Sequence, residues 1–190
     1  MSKKRDQILK VGKELFYKYG IKRVSVEEIC KEANVSKMTF YKFFSNKIDL
    51  VIKMYETLTN ESLKVYREIM ESDLTFVEKI EKTLVLKRKS THELSQEFYN
   101  DLIKSDIPEI QEMIKNAINK NLKLIINDFI VAQKKGEVRK DIKPEFIMFY
   151  MNHMMEMAQD PRLQNMYATP EELIMEVNKF FFYGLLPRNK

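Results

Sequence analysis

Apolar residues recur with the spacing of α-helices along almost the whole chain. In the first segment they fall at Ile8, Val11, Leu15, Phe16 and Tyr19, on one face of a helix that Gly20 is suited to end. Gly and Pro are rare, with four and five residues, so few breaks interrupt the pattern. It predicts an all-α protein of about nine helices.

Capping signals mark a short second helix and a turn. Ser25 and Glu28 form a capping box, in which each residue satisfies a backbone amide at the helix start. The apolar face then runs to Ala33, and Asn34 tolerates the left-handed conformation that a tight turn uses. We therefore expect a second helix that ends at this turn.

Further capping residues bound the remaining helices. Ser36 is suited to cap a third helix over residues 37–44, and Asn46 with Asp49 is suited to cap a long fourth helix. The apolar stripe of the fourth helix comprises Leu50, Val51, Met54, Leu58, Val65 and Ile69. Five more helices are predicted over residues 77–89, 93–104, 108–135, 144–158 and 171–186.

Positive charge is concentrated at the N-terminus. Residues 1–50 hold 12 Lys and Arg against 6 Asp and Glu, although the whole chain has a net charge of only +5. A local basic excess is typical of a phosphate-binding surface, but a solvated lysine-rich surface has the same composition. The composition changes near Leu50, so we expect two domains, 1–50 and 51–190, joined within the fourth helix.

Two short helices joined by a tight turn form a helix-turn-helix, whose second helix enters the major groove of DNA. The residue types at that helix fit this task. Ser36, Lys37 and Thr39 are hydrogen-bond donors at its exposed start, while Tyr41 and Lys42 follow on the next turn. The segment therefore predicts DNA binding.

Residues 25–50 resemble the N-terminal signature of the TetR family of bacterial regulators, over about a quarter of the chain. The matching residues are Ser25, Ile29, Val35, Ser36, Tyr41, Phe44, Lys47 and Leu50. Three positions depart from the signature: Cys30 replaces a common Ala, Asn34 a usual Gly, and Met38 a small residue. The resemblance implies a three-helix N-terminal helix-turn-helix domain, joined through a long fourth helix to a larger helical ligand-binding and dimerisation domain.

The resemblance also implies roles for individual residues. Ser25, Tyr41 and Lys47 would contact phosphates, and Lys3, Lys4 and Arg5 would reach the flanking backbone. Ser36, Lys37, Met38, Thr39 and Lys42 would read bases or line the groove, with Met38 able to contact a thymine methyl group. For any single lysine, a plain surface role is the commoner alternative.

The last two long helices are implied to pair with a second copy. Seven of the twelve methionines follow Lys143, and aromatic residues accompany them in the helices predicted over 144–158 and 171–186. A homodimer would place two recognition helices about 34 Å apart, one for each of two successive major grooves. An ordinary buried core is the alternative explanation of this apolar composition.

An unidentified small-molecule effector, apolar or amphipathic, is implied among helices four to eight. Candidate lining residues, each with a plain core role as the alternative, are Tyr66, Phe98, Tyr99, Met113, Phe129, Met151 and His153. His153 and Glu156 are spaced like a pair of metal ligands, but two ligands do not make a site. We expect no metal and no cofactor.

The resulting hypothesis is a repressor that binds a palindromic operator in double-stranded DNA and releases it when the effector binds. The alternative is a DNA-binding protein of the same fold that organises DNA or binds proteins without sensing a ligand. We expect no enzymatic activity, because the sequence has two histidines, one cysteine and no phosphate-binding loop or nucleophile motif. The sequence leaves the effector, the operator and the choice between repressor and activator open.

The same features predict a cytoplasmic protein. The longest apolar runs hold about six residues, whereas a membrane-spanning helix needs roughly 20. The basic N-terminus is not followed by the apolar segment of a signal peptide. A lone cysteine, Cys30, is compatible with a reducing compartment.

Overall fold

A computed structural model describes residues 3–92, 94–157 and 159–186. These residues form helices and no strand, which confirms the predicted all-α class. The helices are α1 (Lys3–Tyr19), α2 (Val26–Glu32), α3 (Lys37–Phe43), α4 (Lys47–Glu71), α5 (Phe76–Thr91), α6 (Gln96–Ile103), α7 (Pro108–Lys135), α8 (Pro144–Met157), α9 (Pro161–Gln164) and α10 (Pro170–Leu185).

Capping residues and glycines begin or end several of these helices. Capping boxes open α2 at Ser25 and α5 at Thr75, while the Ser36 hydroxyl accepts a hydrogen bond from the Thr39 amide at the start of α3. Gly20 and Gly136 follow α1 and α7, and both have a φ of +81°, which favours glycine. Local sequence therefore determines where the backbone turns.

Three details differ from the predicted pattern. The short helix α9 was not predicted; Asp160 caps it by accepting a hydrogen bond from the Arg162 amide. Thr169 and Glu172 have the sequence spacing of a capping box at the start of α10, but the Glu172 carboxylate accepts from the Ala168 amide and not from the Thr169 amide. Val65 is 40% exposed, because the α4 stripe buries Tyr66 more deeply in its place. Glu93 and Ala158, the predicted start and end of two helices, lie outside the described residues.

The chain divides into two compact units, and the first comprises Met1–Glu61 with Glu93–Lys115. In this unit α1 packs against α2, α3 and α6. Its core contains side chains from all four of these helices, from α4 and from the start of α7. The largest fully buried ones are Ile8, Phe16, Ile29, Phe40, Phe44, Leu50, Phe98 and Ile110. This packing fixes α2 and α3 on a common core.

The second unit comprises Ser62–His92 with Asn116–Lys190. Here α10 packs against α5 and α9. Aromatic rings dominate the core: Phe129 contacts Phe76, Phe181 and Phe182, with centroid separations of 5.8, 5.7 and 6.3 Å. Two of the three boundaries between the units fall inside α4 and α7, and the third falls between α5 and α6. The functional division at residue 50 stays a prediction.

Candidate nucleic-acid interface

The turn between α2 and α3 is closed by short backbone contacts. Asn34 has a φ of +49°, the left-handed conformation expected at this position. The Val35 amide donates to the Cys30 carbonyl at 2.9 Å, and the Asn34 amide donates to the Lys31 carbonyl at 3.1 Å. Because these hydrogen bonds fix the backbone of the turn, they also fix the orientation of α3 relative to α2.

The recognition helix α3 has a buried face and an exposed face. Phe40 is fully buried against the first unit's core, together with Phe44, which caps the helix. The opposite face exposes Lys37, Met38, Tyr41 and Lys42, with Thr39 half-buried beside them. Met38 is 86% exposed and Tyr41 is 54% exposed, so two large side chains project from this face into solvent.

The three departures from the family signature fall at different places. Cys30 fills the core, and burial raises the pKa of its thiol, which makes it a poor nucleophile. Asn34 adopts the backbone conformation that Gly would otherwise supply. Met38 lies on the exposed face of α3, outside the core of the unit.

Lys37 forms an ion pair with Glu27 in the first turn of α2. Both side chains remain more than half exposed. The hydrogen bond and charge of each group raise the pKa of Lys37 and lower the pKa of Glu27. Spacing along α3 does not indicate this partner, which comes from the neighbouring helix.

Lys47 has several partners in the loop before α2. Its ammonium donates to the carbonyls of Ile21 at 2.7 Å and Val24 at 2.8 Å, and more weakly to that of Lys22 at 3.3 Å. Burial lowers the pKa of Lys47, although Asp101 and Glu28 act in the opposite direction. The side chain predicted to contact phosphate therefore also holds the backbone of this loop.

The hydroxyl of Ser25 is engaged in the capping box. It donates to the Glu28 carboxylate at 2.8 Å and accepts from the Glu28 amide at 3.2 Å. Two exposed basic residues that sequence reasoning missed, Lys22 and Arg23, lie in the same loop. The Arg23 guanidinium is 5.0 Å from the centre of the Tyr19 ring. The loop thus adds positive charge next to the start of α2.

A small cavity lies in the second unit, lined by residues of α4, α5, α7 and α10. Of the predicted effector-site residues, Tyr66 and Phe129 line it. The Tyr66 hydroxyl donates to Asp128 Oδ2 at 2.7 Å. The volume of the cavity is about 10 Å³, room for about one water molecule.

The structure places the other five predicted effector-site residues elsewhere. Phe98 and Met113 belong to the first unit's packed core, and Tyr99 is buried in the same unit. Met151 packs partly buried against the second unit's core. His153 is about half exposed, its ring centre lies 4.1 Å from that of Phe149, and it is not among the residues that line the cavity. Helical spacing identified buried positions without indicating which of them border a void.

An apolar surface remains exposed on α8 and α10. Phe146, Phe149 and Met157 project from α8, and Phe180 and Tyr183 project from α10. Phe180 is 73% exposed and Phe149 is 60% exposed. The stacked rings of Tyr150 and Phe181 connect the two helices. Clustered exposed aromatic side chains are typical of a protein-protein interface.

Within the described residues, no helix has the length and apolar content needed to span a membrane. In that same part of the chain, no three His, Cys, Asp or Glu side chains gather as the ligands of a metal ion do. His153 and Glu156, the pair considered from their spacing, have 3.8 Å between Nε2 and Oε2 and lack a third ligand among these residues.

The fixed turn and the exposed face of α3 define a helix-turn-helix DNA-binding protein.

Comparisons with known proteins agree with this class. The sequence profile "Bacterial regulatory proteins, tetR family" matches residues 8–54. The HTH-type transcriptional regulator YhgD of Bacillus subtilis (strain 168) is 29% identical over 150 residues, which cover 78% of this chain and 78% of that protein. Residues 8–54 are thus similar to the DNA-binding domain of TetR-family regulators, and the chain is a DNA-binding transcriptional regulator.

Solved structures share the whole fold. The fatty acid degradation regulator FadR from Bacillus halodurans has a TM-score of 0.74 at 18% identity, covering 100% of this chain and 99% of that chain. A protein from Saccharomonospora viridis, solved in complex with choline, has a TM-score of 0.73 at 15% identity, covering 99% and 100%. At these identities the likeness shows the fold alone.

Proposed function

We propose that the protein is a repressor, which binds a palindromic operator as a homodimer and releases it when a small amphipathic ligand binds. The exposed face of α3 is the observation that supports this proposal most strongly. Lys37, Met38 and Thr39 stand at the helix start, where a helix-turn-helix reaches base edges. Because bacterial DNA lies in the cytoplasm, this function also requires a cytoplasmic protein.

Contacts to phosphate and contacts to bases are assigned to different residues. Ser25, Tyr41 and Lys47 would position the protein on the DNA backbone, with Lys3, Lys4 and Arg5 near the flanks. Ser36, Lys37, Met38, Thr39 and Lys42 would lie along the groove and determine sequence preference. Lys47 would contact a DNA phosphate while it keeps its hydrogen bonds to the loop carbonyls of Ile21 and Val24.

A gel-shift assay with the DNA beside the gene tests this assignment. Tyr41→Phe and Lys47→Ala should weaken binding about equally on all sequences, while Lys37→Ala and Thr39→Ala should change the preference between sites. Binding of the wild-type protein should be specific and should weaken as salt rises. Identical behaviour of all four variants would show that the division between phosphate and base contacts is wrong.

The homodimer is supported by the exposed apolar surface on α8 and α10. Phe146, Phe149, Phe180 and Tyr183 would be buried against a second copy, with a free-energy gain from the apolar area removed from water. Two-fold symmetry would then match a palindromic operator with half-sites about one helical turn apart.

Light scattering of purified variants tests the dimer. Phe149→Lys and Phe180→Lys should each shift the mass from dimer towards monomer, because a buried interface does not accommodate a charge without a partner. Val85→Lys is the matched control, since Val85 is an exposed apolar residue on α5 in the same unit. A monomeric wild-type protein would exclude the proposed arrangement.

The small size of the cavity favours the second candidate function, a DNA-binding protein that senses no ligand. The aromatic core around Phe129 leaves room for about one water molecule. The Tyr66–Asp128 pair at the cavity wall favours the first candidate, because an ionisable group beside apolar surface is typical of a binding site. Release of operator DNA by a bound ligand distinguishes the two.

A further inference from the structure

The cavity in the second unit combines aromatic walls with one carboxyl group. Rings of Tyr66, Phe76, Phe129 and Phe182 face it, and Asp128 is the one ionisable carboxyl group among its lining residues. All of these residues belong to the same compact unit. Aromatic faces attract cations, and apolar surroundings strengthen both this attraction and the attraction of a carboxylate.

Asp128 has few partners for a partly buried acid. Its Oδ2 accepts a hydrogen bond from the Tyr66 hydroxyl at 2.7 Å, and it forms no ion pair with any described residue. Burial raises the pKa of Asp128, while the hydrogen bond from Tyr66 and the charge of Lys79 act in the opposite direction. The Lys79 ammonium itself donates to the Met70 carbonyl at 2.9 Å. A positive group that contacts Asp128 would therefore relieve an uncompensated loss of hydration.

We propose that this cavity is the effector site and that it takes an organic cation, a protonated or quaternary amine on an apolar body. The cationic group would contact Asp128 and the faces of the Tyr66 and Phe129 rings, and the apolar body would replace contacts within the aromatic core. This assignment rests on the ligand-responsive function proposed above and specifies its chemistry. The carboxylate disfavours an anionic ligand at the same position.

Entry of such a ligand requires the lining side chains to move, because the present space holds about one water molecule. Met70, an unbranched side chain with three rotatable bonds, lines the cavity and is suited to such movement. The lining comes from four helices, α4, α5, α7 and α10, so an occupied cavity changes the packing between them. Binding at this site is thereby coupled to the arrangement of helices.

Three probes with the same alkyl chain and different head groups test the charge requirement. Decyltrimethylammonium, decanoate and decanol are titrated into the full-length protein by calorimetry, at concentrations below micelle formation. We expect the cation to bind roughly tenfold or more tightly than either of the others. Equal or tighter binding of decanoate, or no binding of any probe, would overturn the proposal.

A conservative variant then tests the residue. Asp128→Asn keeps the size of the side chain and an acceptor for the Tyr66 hydroxyl, and it should reduce affinity for the cation roughly tenfold without changing affinity for decanol. Asp73→Asn, an exposed residue outside the lining, is the matched control. Tyr66→Phe is a second variant, which retains the ring and the carboxylate and should retain cation binding. Equal loss for cation and alcohol in Asp128→Asn would overturn the assignment.

The operator complex separates failure of this proposal from failure of the proposed function. If the cation binds through Asp128 and the DNA stays bound, the proposed ligand site is correct and the proposed release of the operator by a ligand is wrong. If decanoate releases the DNA and the cation does not, the regulator is ligand-responsive and the chemistry assigned to the site is wrong. Release by the cation in the wild-type protein and its loss in Asp128→Asn supports both.

Discussion

The side chains at the recognition helix have partners that their spacing along the chain does not show. The sequence was sufficient to predict the cap at Ser36 and the exposed positions Lys37, Met38 and Tyr41. Both depend only on the spacing of residues within a single helix that buries one face. The ion pair of Lys37 with Glu27 joins two helices across the turn. Periodicity identifies the face on which a residue lies, but tertiary packing decides what it meets there.

If Lys37 contacts DNA as proposed, its ion pair with Glu27 should compete with that contact. Glu27→Gln removes a carboxylate next to the recognition helix and releases the lysine, so DNA affinity should rise a few-fold, most clearly at low salt, as expected for phosphate electrostatics. Glu32→Gln, in the last turn of α2, is the control and should have a smaller effect. Fluorescence anisotropy at several salt concentrations measures both. If Glu27→Gln instead weakens binding as much as Lys37→Ala, the glutamate positions the lysine for DNA.

Gly20 is required for two separable reasons. Its φ is +81°, and a Cβ atom there would lie 2.7 Å from Asp101 Oδ2 and 3.1 Å from Glu97 Cβ. Gly136 has the same φ with nothing within 4 Å, and Gly184 is helical with nothing within 4 Å. Substitution at Gly20 involves both an unfavourable backbone conformation and a steric clash, at Gly136 the backbone conformation alone, and at Gly184 neither. The three positions thus separate the two contributions to the free energy of unfolding.

Alanine substitutions at these three glycines should differ in their effect on the free energy of unfolding. Gly136→Ala should cost about 1–2 kcal/mol for the left-handed backbone, and Gly20→Ala should cost more. Gly184→Ala should be neutral or stabilising by up to about 1 kcal/mol, because alanine favours helix. Urea denaturation measures each variant. Equal losses at Gly20 and Gly136 would show that the contact with α6 carries no cost.

At the scale of elements, capping residues were sufficient to predict most helix ends. The box at Ser25 and the cap at Ser36 occur as expected, because caps depend on residues only three positions apart. The short helix α9 was missed because four residues are too few for an apolar period, although Asp160 and Pro161 carry a start signal. Pairing between helices was not predictable in this way, since α5 and α10 are far apart in sequence.

One such pairing should make stability depend on pH. The Glu171 carboxylate, at the start of α10, accepts from His92 at 3.0 Å and from Arg88 at 3.0 Å, and these contacts lower its pKa. A lowered folded-state pKa means that the stabilisation is present above the ordinary value, about 4.3, and is lost as pH falls through the folded-state value.

Glu171→Gln tests this dependence. The substitution should reduce the free energy of unfolding at neutral pH and should reduce the further loss on acidification towards pH ~3.5, because the variant lacks the titrating group. Glu176→Gln, an exposed position in the same helix, is the control. Urea denaturation at a series of pH values measures both. If the free energy of unfolding falls equally steeply with acidification in the wild type and in Glu171→Gln, the assigned role of Glu171 is contradicted.

At the scale of the molecule, the sequence predicted the all-α class and the DNA-binding domain but not the cavity. The helix-turn-helix signature covers a contiguous segment, so it was readable along the chain. The seven predicted effector-site residues divide between two units, and only Tyr66 and Phe129 border the space beside Asp128. A void depends on how side chains from several helices fit together, and periodicity carries no information about that fit.

Selection of bound sequences from a random pool of double-stranded DNA tests the central claim most directly. The wild-type protein should enrich one two-fold symmetric sequence with half-sites about 10 base pairs apart, and Met38→Ala or Thr39→Ala should change the enriched bases within each half-site. A pool that stays random, or an enriched sequence that these α3 variants leave unchanged, would contradict the account of α3 as the helix that reads DNA.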